Sequence, residues 1–125
     1  MKTAISTENA PSAIGPYSQA VKNGNMIFLS GQLGIDPNTK ALVPGGVEAE
    51  THQIFKNIKA ILSAAGLTLN HIVKATVFLK DMADFKQVNE VYSRYFYKPY
   101  PARSAFAVKE LPLSVSIEIE VIAMV

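Results

Sequence analysis

The feature that most restricts the possible folds is a change of hydrophobic period in the middle of the chain. Between Val47 and Ala65 the apolar residues recur at helical spacing, and Gly66 follows as a helix-ending residue. From Ile72 to Leu79 the residues are rich in β-branched types and alternate, which is typical of a strand. A long helix that leads within a few residues into a strand favours a fold in which the two kinds of element pack together.

The rest of the chain places strands on both sides of this unit and adds a second helix. The Asn-Gly pair at 23–24 predicts a hairpin whose second arm, Met26–Ser30, is nearly all apolar, so we expect it to be buried on both faces. A helix is predicted from the Asp81–Asp84 region to Tyr97, with aromatic residues in its inner, core-facing stripe. The element order predicts an α+β two-layer sandwich, with two helices on one face of a mixed β-sheet.

The other face of this predicted sheet has no helix left to cover it. The strands nevertheless place many apolar side chains on that face, because their sequences are apolar at both alternating sets of positions. An exposed apolar surface of this size marks an interface. We therefore expect an obligate oligomer.

Length and composition exclude several classes of function. The 125 residues predict a single domain, 1–125, and the absence of cysteine excludes disulfides, thiol nucleophiles and cysteine-bound metals. His52 and His71 stand far apart without a carboxylate cluster, so no metal site is predicted. The net charge of +2 with scattered lysines argues against a nucleic-acid partner. No secretory leader or membrane-spanning run is visible, so we expect a cytoplasmic protein with no membrane partner.

Arg103 lies in an apolar stretch, Pro101–Val108, that reads as a strand opened by proline. A guanidinium in such surroundings needs an anionic partner, because burying an unpaired cation is costly. The last predicted strand carries Glu118 and Glu120 among apolar residues, and a short turn joins it to the Arg103 strand. We expect the two strands to be antiparallel neighbours with Arg103 opposite Glu118. This pair could be a structural ion pair, or Arg103 could grip the carboxylate of a small ligand.

Seven short stretches spread over the whole chain form a set whose order is more specific than any one of them. They are Asn9–Pro11, Ile14–Gln19, Ser30–Gln32, Lys74–Asp81, Val88–Asn89, Pro101–Ser104 and Ile117–Ala123. In these stretches the chain closely resembles the RidA family, also called YjgF, of reactive-intermediate deaminases.

The resemblance implies a chorismate-mutase-like fold and a homotrimer with a site in each cleft between subunits. It implies hydrolysis of 2-iminopropanoate and 2-iminobutanoate, with their enamine tautomers, to 2-oxo acid and ammonia. Dehydratases that use pyridoxal phosphate release these imines, whereas the hydrolase itself would need no cofactor and no metal. The implied ligands are therefore small imino acids and 2-oxo acids.

The resemblance also implies roles for individual residues. Arg103 would bind the substrate carboxylate, Glu118 would hold the attacking water, and the backbone at Gly31 and Ala105 would contact the substrate. The pocket would further be lined by Tyr17, Ser30 and Asn89. Many relatives have cysteine where this chain has Ala105, so no role for a thiol is expected here.

The proposed chemistry suits a site without cysteine, metal or histidine. An imine carbon is already electrophilic, so hydrolysis needs orientation, a positioned water and a route for protons. Three other functions stay open: a non-catalytic regulatory module that senses 2-oxo acids, an RNA-cleaving translation inhibitor, and a chaperone-like holdase. The scattered lysines and the lack of a histidine pair disfavour RNA cleavage.

Overall fold

The computed structural model describes residues 1–125 as eight strands and two α-helices, with short 3-10 turns between them. Six strands form one sheet in the order β1-β2-β3-β8-β6-β7, and β4 and β5 form a separate hairpin. The elements are β1 (Thr3–Ile5), β2 (Ala20–Asn23), β3 (Met26–Leu29), β4 (Ile35–Asp36), β5 (Ala41–Leu42), α1 (Gly46–Ala64), β6 (Ile72–Leu79), α2 (Phe85–Ser93), β7 (Ala102–Ala107) and β8 (Ile117–Met124).

The core lies between the two helices and one face of the sheet, as the hydrophobic periods predicted. Burial of each large apolar side chain in such a core stabilises the fold by roughly 1.5–3 kcal/mol. Helix α1 ends where Gly66 adopts a left-handed backbone with φ of +76°, which glycine accepts without steric cost. Neither helix combines the length and apolar character that crossing a lipid bilayer requires. The fully buried residues include Ile54, Phe55, Ile58, Ile61 and Leu62 of α1 and Val77, Leu79, Ile117 and Ile119 of the sheet.

The sheet is mixed, and its one parallel pair overturns the expected pairing of Arg103 with Glu118. Strand β6 lies between β7 and β8, parallel to β7 and antiparallel to β8. Since β6, α2 and β7 form a crossover unit, β7 returns parallel to β6 and occupies the sheet edge. Strand β8 must therefore pair with the other side of β6, although a short connection joins it to β7.

The register places Arg103 and Glu118 on opposite faces of the sheet. Arg103 aligns with Ala75 of β6, and Glu118 aligns with Phe78 of β6. Ala75 and Phe78 are an odd number of positions apart, so their side chains point to opposite faces. Ala75 is buried under the helices, and Glu118 therefore lies on the face that no helix covers.

The uncovered face carries aromatic residues at the solvent surface. Phe28 is 39% exposed between the buried Ile27 and Leu29, so the expectation that β3 is buried on both faces is wrong for the single chain. On the same face Phe78 and Phe106 pack edge to face, with ring centroids 5.5 Å apart. The predicted open apolar face is thus present.

Candidate functional site

Arg103 is held on the helix side of the sheet by helix α2. Its Nη1 donates a hydrogen bond to Asn89 Oδ1 at 2.8 Å. The guanidinium carbon also lies 4.7 Å from the ring centroid of Tyr92 and 5.3 Å from that of Phe85. The guanidinium of this half-buried arginine donates to one amide oxygen and lies near two aromatic rings, which accept none of its other N–H groups in a conventional hydrogen bond. Hydrogen-bond donors therefore remain for an anionic ligand.

The spacing of the α2 residues explains why they reach Arg103 together. Phe85, Asn89 and Tyr92 follow one another at intervals of four and three, which places them on one face of a helix. The sequence assigned the aromatic residues of this stripe to the core, and Tyr92 is indeed buried. Their contact with Arg103 was missed. The signal that could have revealed this contact is Asn89, a polar residue within the otherwise aromatic stripe of α2.

Ala105 lies two residues beyond Arg103 on the same face of β7. Its register partner is the buried Val77, and the half-buried alanine packs against the core. The shared face of Arg103 and Ala105 follows from the strand period. Its small methyl group leaves space beside the guanidinium.

Glu118 on the opposite face lies against Gly31. A Cβ atom at residue 31 would be 2.8 Å from the carboxyl carbon of Glu118 and still closer to its Oε2. Only glycine therefore lets this carboxyl group take its observed position. Burial raises the pKa of the Glu118 carboxyl, and the nearby charge of Glu120 raises it further.

Tyr17 and Ser30 belong to the loop and strand end beside Gly31. Tyr17 is 54% exposed, and together with Gly31 it lines a surface groove of about 570 Å³. Ser30 Oγ donates a hydrogen bond to the carbonyl oxygen of Ser18 at 2.6 Å, which ties the end of β3 to the preceding loop. The serine hydroxyl is thus already engaged with the backbone.

The expected site residues form two groups on opposite sides of the sheet. The arginine cluster, on the helix side, comprises Asn89, Arg103 and Ala105. The glutamate cluster comprises Glu118 of the uncovered face, the adjoining Gly31, its chain neighbour Ser30, and Tyr17, which lines a groove together with Gly31. The arginine cluster offers a fixed positive charge for a carboxylate, and the glutamate cluster offers a carboxyl group that is a stronger base than an ordinary glutamate, because its pKa is raised. No three histidine or acidic side chains come together as a metal site.

Comparison with known proteins identifies the family of this chain. The profile of the family described as Endoribonuclease L-PSP matches residues 7–125. A RutC family protein of Pyrococcus horikoshii is 56% identical over 98% of both chains. A mouse protein named 2-iminobutanoate/2-iminopropanoate deaminase is 52% identical over 99% of this chain and 92% of its own.

A solved structure agrees with the sequence comparison. The crystal structure of RidA from an Antarctic Psychrobacter superposes with a TM-score of 0.94 at 49% identity, covering 98% of this chain and 99% of that one. At this identity the likeness extends beyond the fold to the family. The chain therefore belongs to the Endoribonuclease L-PSP family, which includes the RidA proteins that its motifs resemble.

Proposed function

We propose that this protein is a 2-iminobutanoate/2-iminopropanoate deaminase, which hydrolyses these imines and their enamine tautomers to 2-oxo acid and ammonia. The observation that carries the proposal is the state of Arg103, which an asparagine and two aromatic rings hold in place with donors left over. A planar fork of donors is the group that best binds a small carboxylate. The name of the 52% identical mouse relative supports the same reaction.

The separation of Arg103 and Glu118 favours a site shared between two chains. A 2-imino acid of three or four carbons cannot contact two side chains that a β-sheet separates. In the proposed homotrimer, the arginine cluster of one subunit would face the glutamate cluster of the next. The exposed aromatic residues of the uncovered face, Phe28 and Phe106, supply apolar area for such an interface.

In this proposal each cluster has one task in the reaction. The Arg103 fork binds the substrate carboxylate and so fixes the imine carbon beside a water molecule on Glu118. The water oxygen attacks the carbon of the imine, whose nitrogen is protonated, while Glu118 accepts a proton from the water. This step gives a tetrahedral amino alcohol. Glu118 then returns the proton to nitrogen. The C–N bond breaks, ammonia leaves, and the ionised Glu118 takes the hydroxyl proton, which yields the 2-oxo acid.

The state of the Glu118 carboxyl suits this exchange of protons. Burial and Glu120 raise the pKa of the group, which brings it closer to neutral pH than that of a solvated glutamate. A raised pKa makes the carboxylate a stronger base than an ordinary glutamate, which favours its taking a proton from the water. The proposed contacts of the substrate with the backbone at Gly31 and Ala105 would complete the orientation.

A coupled assay tests the proposal directly. A threonine dehydratase generates 2-iminobutanoate, and release of 2-oxobutanoate and ammonia is followed with and without this protein. We expect faster release with the wild type and no acceleration with Arg103→Ala. Equal rates with and without wild-type protein would contradict the proposed reaction. Binding of 2-oxobutanoate without acceleration would instead favour the sensing module, which the free donors of Arg103 also support.

A further inference from the structure

We propose that Phe85 and Tyr92 of helix α2 are positioning residues, which hold the Arg103 guanidinium in the orientation that receives a carboxylate. This inference rests on the proposed function and deepens it. It assigns the affinity for the substrate carboxylate to an aromatic and amide cradle as well as to the arginine. The α2 cradle consists of Phe85, Asn89 and Tyr92.

The distances support attraction between both rings and the cation. The Arg103 guanidinium carbon lies 4.7 Å from the centroid of Tyr92 and 5.3 Å from that of Phe85. A cation within about 6 Å of an aromatic centroid is attracted by the negative face of the ring. Two rings that lie seven residues apart on one helix therefore restrict the guanidinium from more than one direction.

Asn89 restricts the remaining rotation of the guanidinium. Its Oδ1 accepts one hydrogen bond from Nη1 of Arg103 at 2.8 Å. A guanidinium has five N–H donors, so four remain for other partners, and a carboxylate uses two of them in parallel. Binding costs less conformational entropy when the long arginine side chain is already ordered. The cradle should therefore act mainly on affinity.

Tyr92 positions Arg103 through its aromatic ring and not through its hydroxyl group. The side chain is 6% exposed, and its buried hydroxyl has no hydrogen-bond partner. Burial raises the pKa of this phenol, while the charge of Arg103 opposes that rise. Since the hydroxyl donates to no group of the chain, its removal should leave the orientation of Arg103 intact.

The test compares variants that remove a ring with variants that keep one. Phe85→Leu and Tyr92→Leu remove a ring, and Phe85→Tyr and Tyr92→Phe keep it. Phe96→Leu is the matched control, because Phe96 is a buried aromatic that packs on Phe55 and Tyr92 outside the cradle. The measurements are the Kd of 2-oxobutanoate by calorimetry, and kcat and KM in the dehydratase-coupled assay.

We expect each ring-removing variant to raise both Kd and KM by roughly 2- to 30-fold, with kcat close to that of the wild type. The ring-keeping variants and Phe96→Leu should stay within about twofold of the wild type. If the buried Tyr92→Leu fails to fold, the half-buried Phe85→Leu still provides the test.

Four results would overturn the inference, three of them without touching the proposed function. Folded Phe85→Leu and Tyr92→Leu proteins that bind as tightly as the wild type would show that the rings do not position Arg103, while the proposed reaction stands. An equal loss in Phe96→Leu would show a general effect of core packing. A loss in Tyr92→Phe as large as in Tyr92→Leu would show that the hydroxyl is the active part. A wild type that neither binds 2-oxobutanoate nor hydrolyses the imine would overturn this inference and the proposed function together.

Discussion

The arginine cluster and the glutamate cluster differ in how firmly the fold holds their charged groups. Arg103 lies on a strand, donates to an amide on a helix, and packs against two rings. Glu118 lies on the uncovered face, where burial and a second carboxyl group raise its pKa. One cluster presents a fixed positive charge, and the other a carboxyl group of raised pKa that can accept a proton. The proposed hydrolysis of an imine needs both, so under this proposal neither cluster alone forms a complete site.

The largest expected effect comes from removing the fixed charge. Arg103→Ala should lower kcat/KM by roughly 1,000-fold, because the substrate carboxylate loses a charge-assisted pair of hydrogen bonds. Arg103→Lys should restore little, since an ammonium lacks the planar fork. Circular dichroism should show an intact fold, because the side chain is only half-buried at the sheet edge. Near-normal turnover in the folded alanine variant would remove the arginine cluster from the site.

Removing the proton-accepting carboxylate should have the next largest effect. Glu118→Gln keeps the shape of the side chain, so it should lower kcat by about 100-fold and leave the Kd of 2-oxobutanoate nearly unchanged. The matched control is Glu120→Gln, a neighbouring and exposed carboxyl on the same face. If Glu120→Gln abolishes turnover and Glu118→Gln is silent, the assignment of the carboxyl group is wrong.

Mixing the two inactive variants tests whether the clusters meet across subunits. Arg103→Ala and Glu118→Gln chains are unfolded together and refolded as mixed oligomers. A mixed trimer contains one junction where an intact Arg103 faces an intact Glu118, so roughly a quarter of the wild-type activity should return under random assembly. Light scattering checks that the mass is three times the chain mass of 13.6 kDa. Active monomers, or no recovery in verified mixed trimers, would contradict the shared site.

A smaller effect is expected from the contact between Gly31 and Glu118. The Cβ of Gly31→Ala would overlap the Glu118 carboxyl group and displace it, so kcat should fall by roughly tenfold with the fold retained. The same change in a Glu118→Gln protein should cause little further loss of kcat, because the group that it displaces is already inactive. Additive losses would show that Gly31 acts independently of Glu118.

The smallest expected effect is on stability and depends on pH. Because folding raises the pKa of Glu118, the folded chain binds this proton more tightly, and ionised Glu118 opposes folding. Glu118→Gln should therefore raise Tm by roughly 2 °C at pH 7. The difference should shrink as the pH falls through the raised pKa towards the ordinary value of a glutamate. Thermal unfolding at several pH values measures this difference in Tm. A difference that grows in acid would show that folding does not raise the pKa of Glu118.

Local patterns predicted the elements well and their pairing less well. The periods of α1 and β6 are strong because each element buries one regular stripe or face. The predicted pairing of β7 with β8 was wrong, because it assumed that a short connection joins neighbouring strands. The β6-α2-β7 crossover instead places β7 beside β6 at the sheet edge. The exposure of Phe28 was missed for a related reason, since hydrophobicity alone does not show which face lacks a covering layer.

The family motifs suggested the candidate site residues without showing how they are arranged. The motifs include Arg103 and Glu118, but only the register of β6 with β7 and β8 shows that the two side chains lie on opposite faces of the sheet. The contacts of Phe85 and Tyr92 with Arg103 depend on how α2 packs over β7, which no single segment encodes. Long-range packing therefore supplied what the local patterns lacked.

The separation of Arg103 and Glu118 by the sheet has a genetic consequence under the proposed assembly. Each chain contributes to two different junctions, one through its arginine and one through its glutamate. A mutant allele whose product still assembles but has lost both groups would inactivate two of the three junctions in a trimer with one mutant chain, and all three in a trimer with two. Such an allele would behave as partially dominant over the normal gene, whereas a deletion of the gene would be recessive.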